Sequence, residues 1–107
     1  MLLIRGGIYK VDLGEAKRGH EQRGRRLGVL VSPSDWLGST VTIVPTSTSA
    51  GPSIYRPLVE ISGRETRLLI DQIRTIDTDY VKSWVGNLTR DCLAELDDAL
   101  GRYLEIH

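Results

Sequence analysis

The spacing of apolar residues changes at Thr89, and that change constrains the fold more than any other feature. Before it, apolar and β-branched residues come in short runs. Residues 7–13 alternate, with Tyr9, Val11 and Leu13 on one side, as in a half-buried strand. Residues 27–32 and 40–44 are nearly continuous apolar runs and read as buried strands. After Thr89, residues Leu93, Leu96, Leu100, Tyr103 and Leu104 share one helical face, with Asp97 and Asp98 opposite. Thr89 itself is a plausible N-cap, and Asp91 suits the positive end of the helix dipole.

The segments between follow the same logic. Residues 14–26 are a glycine-punctuated basic loop, residues 33–38 carry the proline, aspartate and glycine of a turn, and residues 46–56 form a loop rich in small hydroxyl residues. Residues 57–61 and 66–76 read as two further strands joined at Ser62-Gly63-Arg64-Glu65, the second bending near Asp71-Gln72. Residues 78–85 read as a short helix capped by Asp77 or Thr78. At 107 residues the chain is one domain. The expected class is mainly β with helices (α+β): a strongly curved sheet or small barrel with a C-terminal helix.

Composition excludes several functions. One cysteine, Cys92, allows no internal disulfide, and one Cys with two His cannot assemble the usual soft metal cluster. No apolar run is long enough to span a bilayer, so the expected location is the cytoplasm. Net charge is zero, yet its distribution is uneven. Residues 1–26 hold seven Lys/Arg against three Asp/Glu, a net of +4; residues 77–107 hold three against seven, a net of −4. A basic front of this kind presents a local field for phosphates.

The basic loop ends Gly19-His20-Glu21-Gln22-Arg23-Gly24-Arg25-Arg26. Arginine stays charged at any cellular pH and forks onto phosphate oxygens. If the strands at 27–32 and 40–44 run antiparallel, the start of the first lies beside the end of the second. Arg26 and the hydroxyls of Thr46, Ser47 and Thr48 then meet at one edge of the sheet, where a cation and a hydroxyl donor suit a phosphate. The same hydroxyls also suit turn-making hydrogen bonds to the backbone. His20 has no evident orienting partner. Trp36 and Trp84 read as core residues, and Cys92 as a small buried or interfacial one.

Several blocks together resemble the MazF/PemK toxin family. They are Arg5-Gly6-Gly7-Ile8-Tyr9-Lys10-Val11-Asp12-Leu13, Glu21-Gln22-x-Gly24-x-Arg26, Val44-Pro45-Thr46-Ser47-Thr48-Ser49 and Asp71-Gln72-Ile73-Arg74-Thr75-Ile76-Asp77, with Val85-Gly86-Asn87-Leu88 before the helix. The resemblance implies a small SH3-like barrel of the MazF type and a homodimer. It also implies a metal-independent, cofactor-free endoribonuclease acting on single-stranded RNA, usually messenger RNA, neutralised by an antitoxin with a disordered acidic C-terminal segment. By the same resemblance Arg26 matches the catalytic arginine and Ser47 the catalytic hydroxyl, with Thr46 or Thr48 as alternatives. Glu21, Gln22, Asp71 and Gln72 match positions lining the RNA groove, and Arg25 and Arg23 add charge beside them. Glu21 or a water is the candidate base. Leu27 stands where the family often has proline, and Ser47 where threonine is commoner. A gyrase-poisoning relative of the same fold is the alternative, but Tyr103-Leu104-Glu105-Ile106-His107 does not resemble its C-terminus. A noncatalytic RNA-binding module is the other.

Overall fold

Tyr9, Val11 and Leu13 alternate because one side of their strand faces a packed interior, and all three are buried. The computed structural model describes residues 1–14, 19 and 22–106. Its strands are β1 Gly7–Asp12, β2 Arg25–Leu30, β3 Thr40–Ser47, β4 Leu58–Ile61, β5 Arg64–Leu68, β6 Arg74–Asp77 and β7 Val81–Asn87, followed by helix α1 Arg90–Leu104. The pairings are antiparallel in the order β4-β5-β3-β2-β1-β7, with β6 also on β3. The sheet curls into a half-barrel with α1 on one face, as the period change at Thr89 predicts. No described helix is long and apolar enough to cross a membrane.

Both faces of the central strands are buried, which explains their continuous apolar runs. Ile8, Val29 and Val44 face Leu96 and Ala99 of α1, together with Leu68 and Ile70. Tyr9, Val11, Leu30, Ile43, Ile76 and Val81 form a second cluster on the opposite face. Paired positions confirm the division: Ile8 stands opposite Val29, and Val29 opposite Val44. The helix begins as expected, with the Thr89 hydroxyl accepting from the Cys92 N–H at 3.1 Å. Cys92 is half-buried and packs against the first cluster. Leu96 is fully buried, whereas Tyr103 and Leu104 at the far end of the apolar stripe are exposed.

Five expectations need correction. Residues 78–85 are not a helix. Asp77 does cap, its carboxylate accepting from the Asp79 N–H, but only a 3₁₀ turn over Thr78–Tyr80 follows before β7 begins. The strand expected over 66–76 is two strands, divided near the expected bend by a 3₁₀ turn at Ile70–Gln72. Both halves pair with β3, Thr46↔Leu68 on one side of the break and Ile43↔Arg74 on the other. Pro45 sits at that break, where its missing N–H interrupts nothing, and its carbonyl accepts from the Leu69 N–H at 2.9 Å. Third, β2 starts at Arg25 and β3 runs to Ser47, so Arg25, Arg26, Thr46 and Ser47 belong to strands rather than loops. Fourth, Trp36 and Trp84 are not core residues: they are 56% and 54% exposed. Each indole N–H bonds nearby, to the Thr40 carbonyl and the Asn87 side chain respectively, which leaves the rings on the surface. The β4–β5 turn is tighter than expected. Ser62 (φ 52°) and Gly63 (φ 78°) both take the left-handed conformation of a two-residue type I′ hairpin.

Candidate active site

Antiparallel pairing of β2 with β3 runs the strands that carry the two expected catalytic groups side by side. The ladder matches Leu30↔Ile43, Val29↔Val44 and Gly28↔Pro45. Continued by two residues, that register sets Arg26 opposite Ser47, and directly opposed residues share a face. The face is the one turned away from α1, because Arg26 also stands opposite the buried Val11. In β5, Arg67 stands opposite Ser47, and in β6, Arg74 stands opposite Ile43. The cluster on this face is therefore apolar along its length and cationic, with one hydroxyl, at the end.

Arg26 is exposed, and its Nε donates to the Arg23 carbonyl at 3.1 Å. That bond fixes the guanidinium while leaving its terminal N–H groups for a ligand. Among the described residues Arg26 has no carboxylate partner. Ser47 is buried, and its Oγ accepts from the Ser49 and Ala50 N–H groups at 3.1 and 3.0 Å. Thr46 is also buried but spends its hydroxyl hydrogen on the Leu27 carbonyl at 2.8 Å. Thr48 is exposed. The turn-making role of these hydroxyls is real, and in Ser47 it leaves the hydroxyl hydrogen only the Ser49 hydroxyl, at 3.4 Å, among the described residues.

The basic loop is pinned at its base and on its returning limb. Gly14 (φ 77°) and Gly24 (φ 75°) both need the left-handed region, and the Gly24 N–H donates to the Gly14 carbonyl. The Leu13 N–H donates to the Gly24 carbonyl at 2.9 Å. Gln22 then meets the turn between β5 and β6: its N–H donates to Gln72 Oε1 at 2.7 Å, and Arg74 donates to its carbonyl at 3.3 Å. The Gln22 side-chain oxygen is buried and, among the described residues, has no hydrogen-bond partner. Arg25 is exposed. Glu21 and His20 lie outside the described residues.

Asp71 is engaged within the chain. Arg56 grips both its oxygens, Nε to Oδ1 at 2.9 Å and Nη2 to Oδ2 at 2.7 Å. The pair ties the segment before β4 to the turn that carries Gln72, and Arg67 donates to the Arg56 carbonyl at 3.0 Å. Sequence reading missed Arg56, because an ion pair between distant loops leaves no periodic signal. It also gave Arg74 no role, although Arg74 lies inside the recognised block. The hydrogen bond from Arg56 holds the Asp71 carboxyl below the usual carboxylate range, against the opposing effect of partial burial and with further help from the Arg56 charge. The folded state thus favours the carboxylate. Its stabilisation is complete above the ordinary aspartate value near ~4 and is lost as pH falls through the lower folded value. Asp71→Asn should therefore flatten the acid limb of a plot of melting temperature against pH. An acid limb as steep as that of the unaltered protein would refute the clamp.

The chain is 54% identical over 104 residues to a Mycobacterium tuberculosis protein that carries a provisional toxin name, covering 96% of this chain and 98% of that one. It is 32% identical over 119 residues to the endoribonuclease MazF9 of the same organism, covering 98% of each. A solved endoribonuclease from a mycobacterial species, in complex with its cognate antitoxin, has the same fold: TM-score 0.80 at 20% identity, over 97% of this chain and 96% of that one. Residues 4–104 match the profile of the PemK-like, MazF-like toxins of type II toxin–antitoxin systems, and the chain belongs to that family.

Proposed function

We propose that this toxin acts in the cytoplasm as an endoribonuclease on single-stranded RNA, messenger RNA above all, and stops growth by cutting it. The observation that supports the reading is the antiparallel register of β2 on β3, which ends at Gly28↔Pro45 and, carried two residues on, would set Arg26 beside Ser47. RNA supplies its own nucleophile, the 2′-hydroxyl beside the scissile phosphate. The protein has only to align that oxygen, take its proton and stabilise the charge gathering on the phosphoryl oxygens. The 2′-oxygen bonds to phosphorus as the bond to the 5′-oxygen breaks, and the leaving oxygen gains a proton. The products are a 2′,3′-cyclic phosphate and a 5′-hydroxyl, and no step calls for a metal or cofactor.

Arg26 meets the developing charge and Ser47 donates to a phosphate oxygen. Glu21 or a water takes the proton, since arginine hardly deprotonates. Arg25 and Thr48 lie within reach of the backbone, and the unpaired Gln22 oxygen suits a base amino group. Gln72 holds the Gln22 limb in place. Asp71 acts through the clamp with Arg56, and Thr46 through its bond to Leu27. The working unit is a homodimer, and the natural inhibitor is an antitoxin whose acidic, disordered C-terminal segment covers the same cations.

Incubating the protein with a long single-stranded RNA in EDTA tests the reading. Cuts at defined sites are expected, and a 2′-deoxy nucleotide on the 5′ side of a cut should abolish that cut. Intact RNA from folded protein would sink the reading; continued cutting at the deoxy position would sink the 2′-hydroxyl mechanism.

A further inference from the structure

Beside Arg26 the surface holds a hollow of about 400 Å³ lined by Lys10, Val11, Arg25, Arg26, Leu27 and Lys82. Four of the six are cations and none is acidic. The placement follows from the strands. Lys10 lies between the buried Tyr9 and Val11, so the pleat turns it to the other side of β1, opposite Leu27 of β2. Lys82 lies where β7 slips against β1. Lys10 pairs with Ser83 and Val11 with Val81, leaving Lys82 as the extra residue of a bulge. A bulge re-aims the residue it inserts, and here it turns Lys82 into the hollow. The Lys82 ammonium donates to the Asp79 carbonyl at 2.9 Å, a bond that leaves its charge uncompensated. Among the described residues, none of the four cations is in an ion pair. Asp12 stands opposite Arg25 in the ladder, but its Oδ1 is taken by the Gly14 N–H.

We infer that this hollow is a second phosphate subsite, in which Lys10 and Lys82 hold the RNA backbone beside the phosphate that Arg26 engages. The inference rests on the endoribonuclease reading and deepens it. The cations sit on three neighbouring strands, β2, β1 and β7, spaced about 4.8 Å apart. Such a row spans roughly 10 Å. It suits a chain of phosphates better than a single anion, which would need donors converging on one point. Arg26 alternates to the opposite face from Lys10, yet its side chain also lines the hollow, and through it the hollow adjoins the strand end that carries Ser47. The two lysines contact backbone alone and therefore add grip without base preference.

The test uses Lys10→Gln with Lys82→Gln in the intact protein. The probe is a mixed-sequence single-stranded RNA bearing 2′-O-methyl groups throughout, which the protein cannot cut. The logarithm of affinity is plotted against the logarithm of KCl concentration. Each lost phosphate contact on a single strand should reduce the slope by about 0.7, so the double variant should lose about 1.4. Lys10→Arg with Lys82→Arg should restore the slope, because charge is what the subsite supplies. A slope equal to that of the unaltered protein overturns the proposal. So does a loss shared by the arginine pair, since that loss would be structural. Unchanged RNA binding with weakened binding of polyglutamate overturns it too, in favour of an acidic protein segment. The uncut probe reports binding whether or not the protein cleaves, so failure of the endoribonuclease reading shows separately, as intact RNA in the cleavage assay.

Discussion

Arg26→Ala is expected to lower kcat/KM for RNA cleavage by about 10²–10³-fold, the usual cost of removing one preorganised donor from a developing oxyanion. The fold should survive. Arg26 is exposed near the start of β2, it holds no described carboxylate, and among the described residues its one side-chain hydrogen bond goes to the Arg23 carbonyl. A surface substitution of that kind shifts stability by no more than about 0.5 kcal/mol. Rate and stability thus separate at this position, which makes the experiment readable. Arg26→Lys should recover only part of the rate, because an ammonium keeps the charge but loses the planar fork. Initial rates on a long RNA, with thermal melting in parallel, measure both. A wild-type rate in the alanine variant would remove Arg26 from the site. A lost rate together with a large drop in melting temperature would make its role structural.

The antiparallel pairing of the two strands that carry Arg26 and Ser47 was legible in the sequence because it needs only two adjacent buried strands and an antiparallel turn between them. The C-terminal helix was legible for a similar reason: Thr89, Asp91 and the apolar stripe agree at every level. Strand β7 was not. It is an edge strand with Val81 its only buried residue, and two slips against β1 destroy the period of two. Its exposed lysine, serine and tryptophan therefore gave no strand signal, although one slip is what positions Lys82. The ends of β2 and β3 were hidden by their chemistry, since Arg25, Arg26, Thr46 and Ser47 are polar residues held in strands by pairing. The clamp between Arg56 and Asp71 was hidden by distance in the chain. Trp36 and Trp84 misled because tryptophan's usual burial rests on area, while each ring here stays outside with its N–H bonded locally.

Ser47→Ala should depress cleavage about as steeply as Arg26→Ala, whereas Ser47→Thr should keep most of the activity. A hydroxyl offers one hydrogen and two acceptor positions. In Ser47 both acceptor positions are occupied, by the Ser49 and Ala50 N–H groups. The oxygen is thus poorly placed to take a proton, and its hydrogen is the one valence left to give. Within the described residues that hydrogen has only the Ser49 hydroxyl to meet, at a long 3.4 Å. A phosphate oxygen is the better acceptor. Thr46 is in the opposite state, with its hydrogen already given to the Leu27 carbonyl. The hydroxyl chemistry therefore sets Thr46 aside, and the variants decide between Ser47 and the exposed Thr48. Alanine removes the donor and also two turn bonds, each worth about 1 kcal/mol. Melting must accordingly be followed beside the rate. Threonine retains the hydroxyl and adds a methyl that a strand accepts readily. If Thr48→Ala abolishes cleavage while Ser47→Ala does not, the donor lies one residue further along, on the exposed side of the turn.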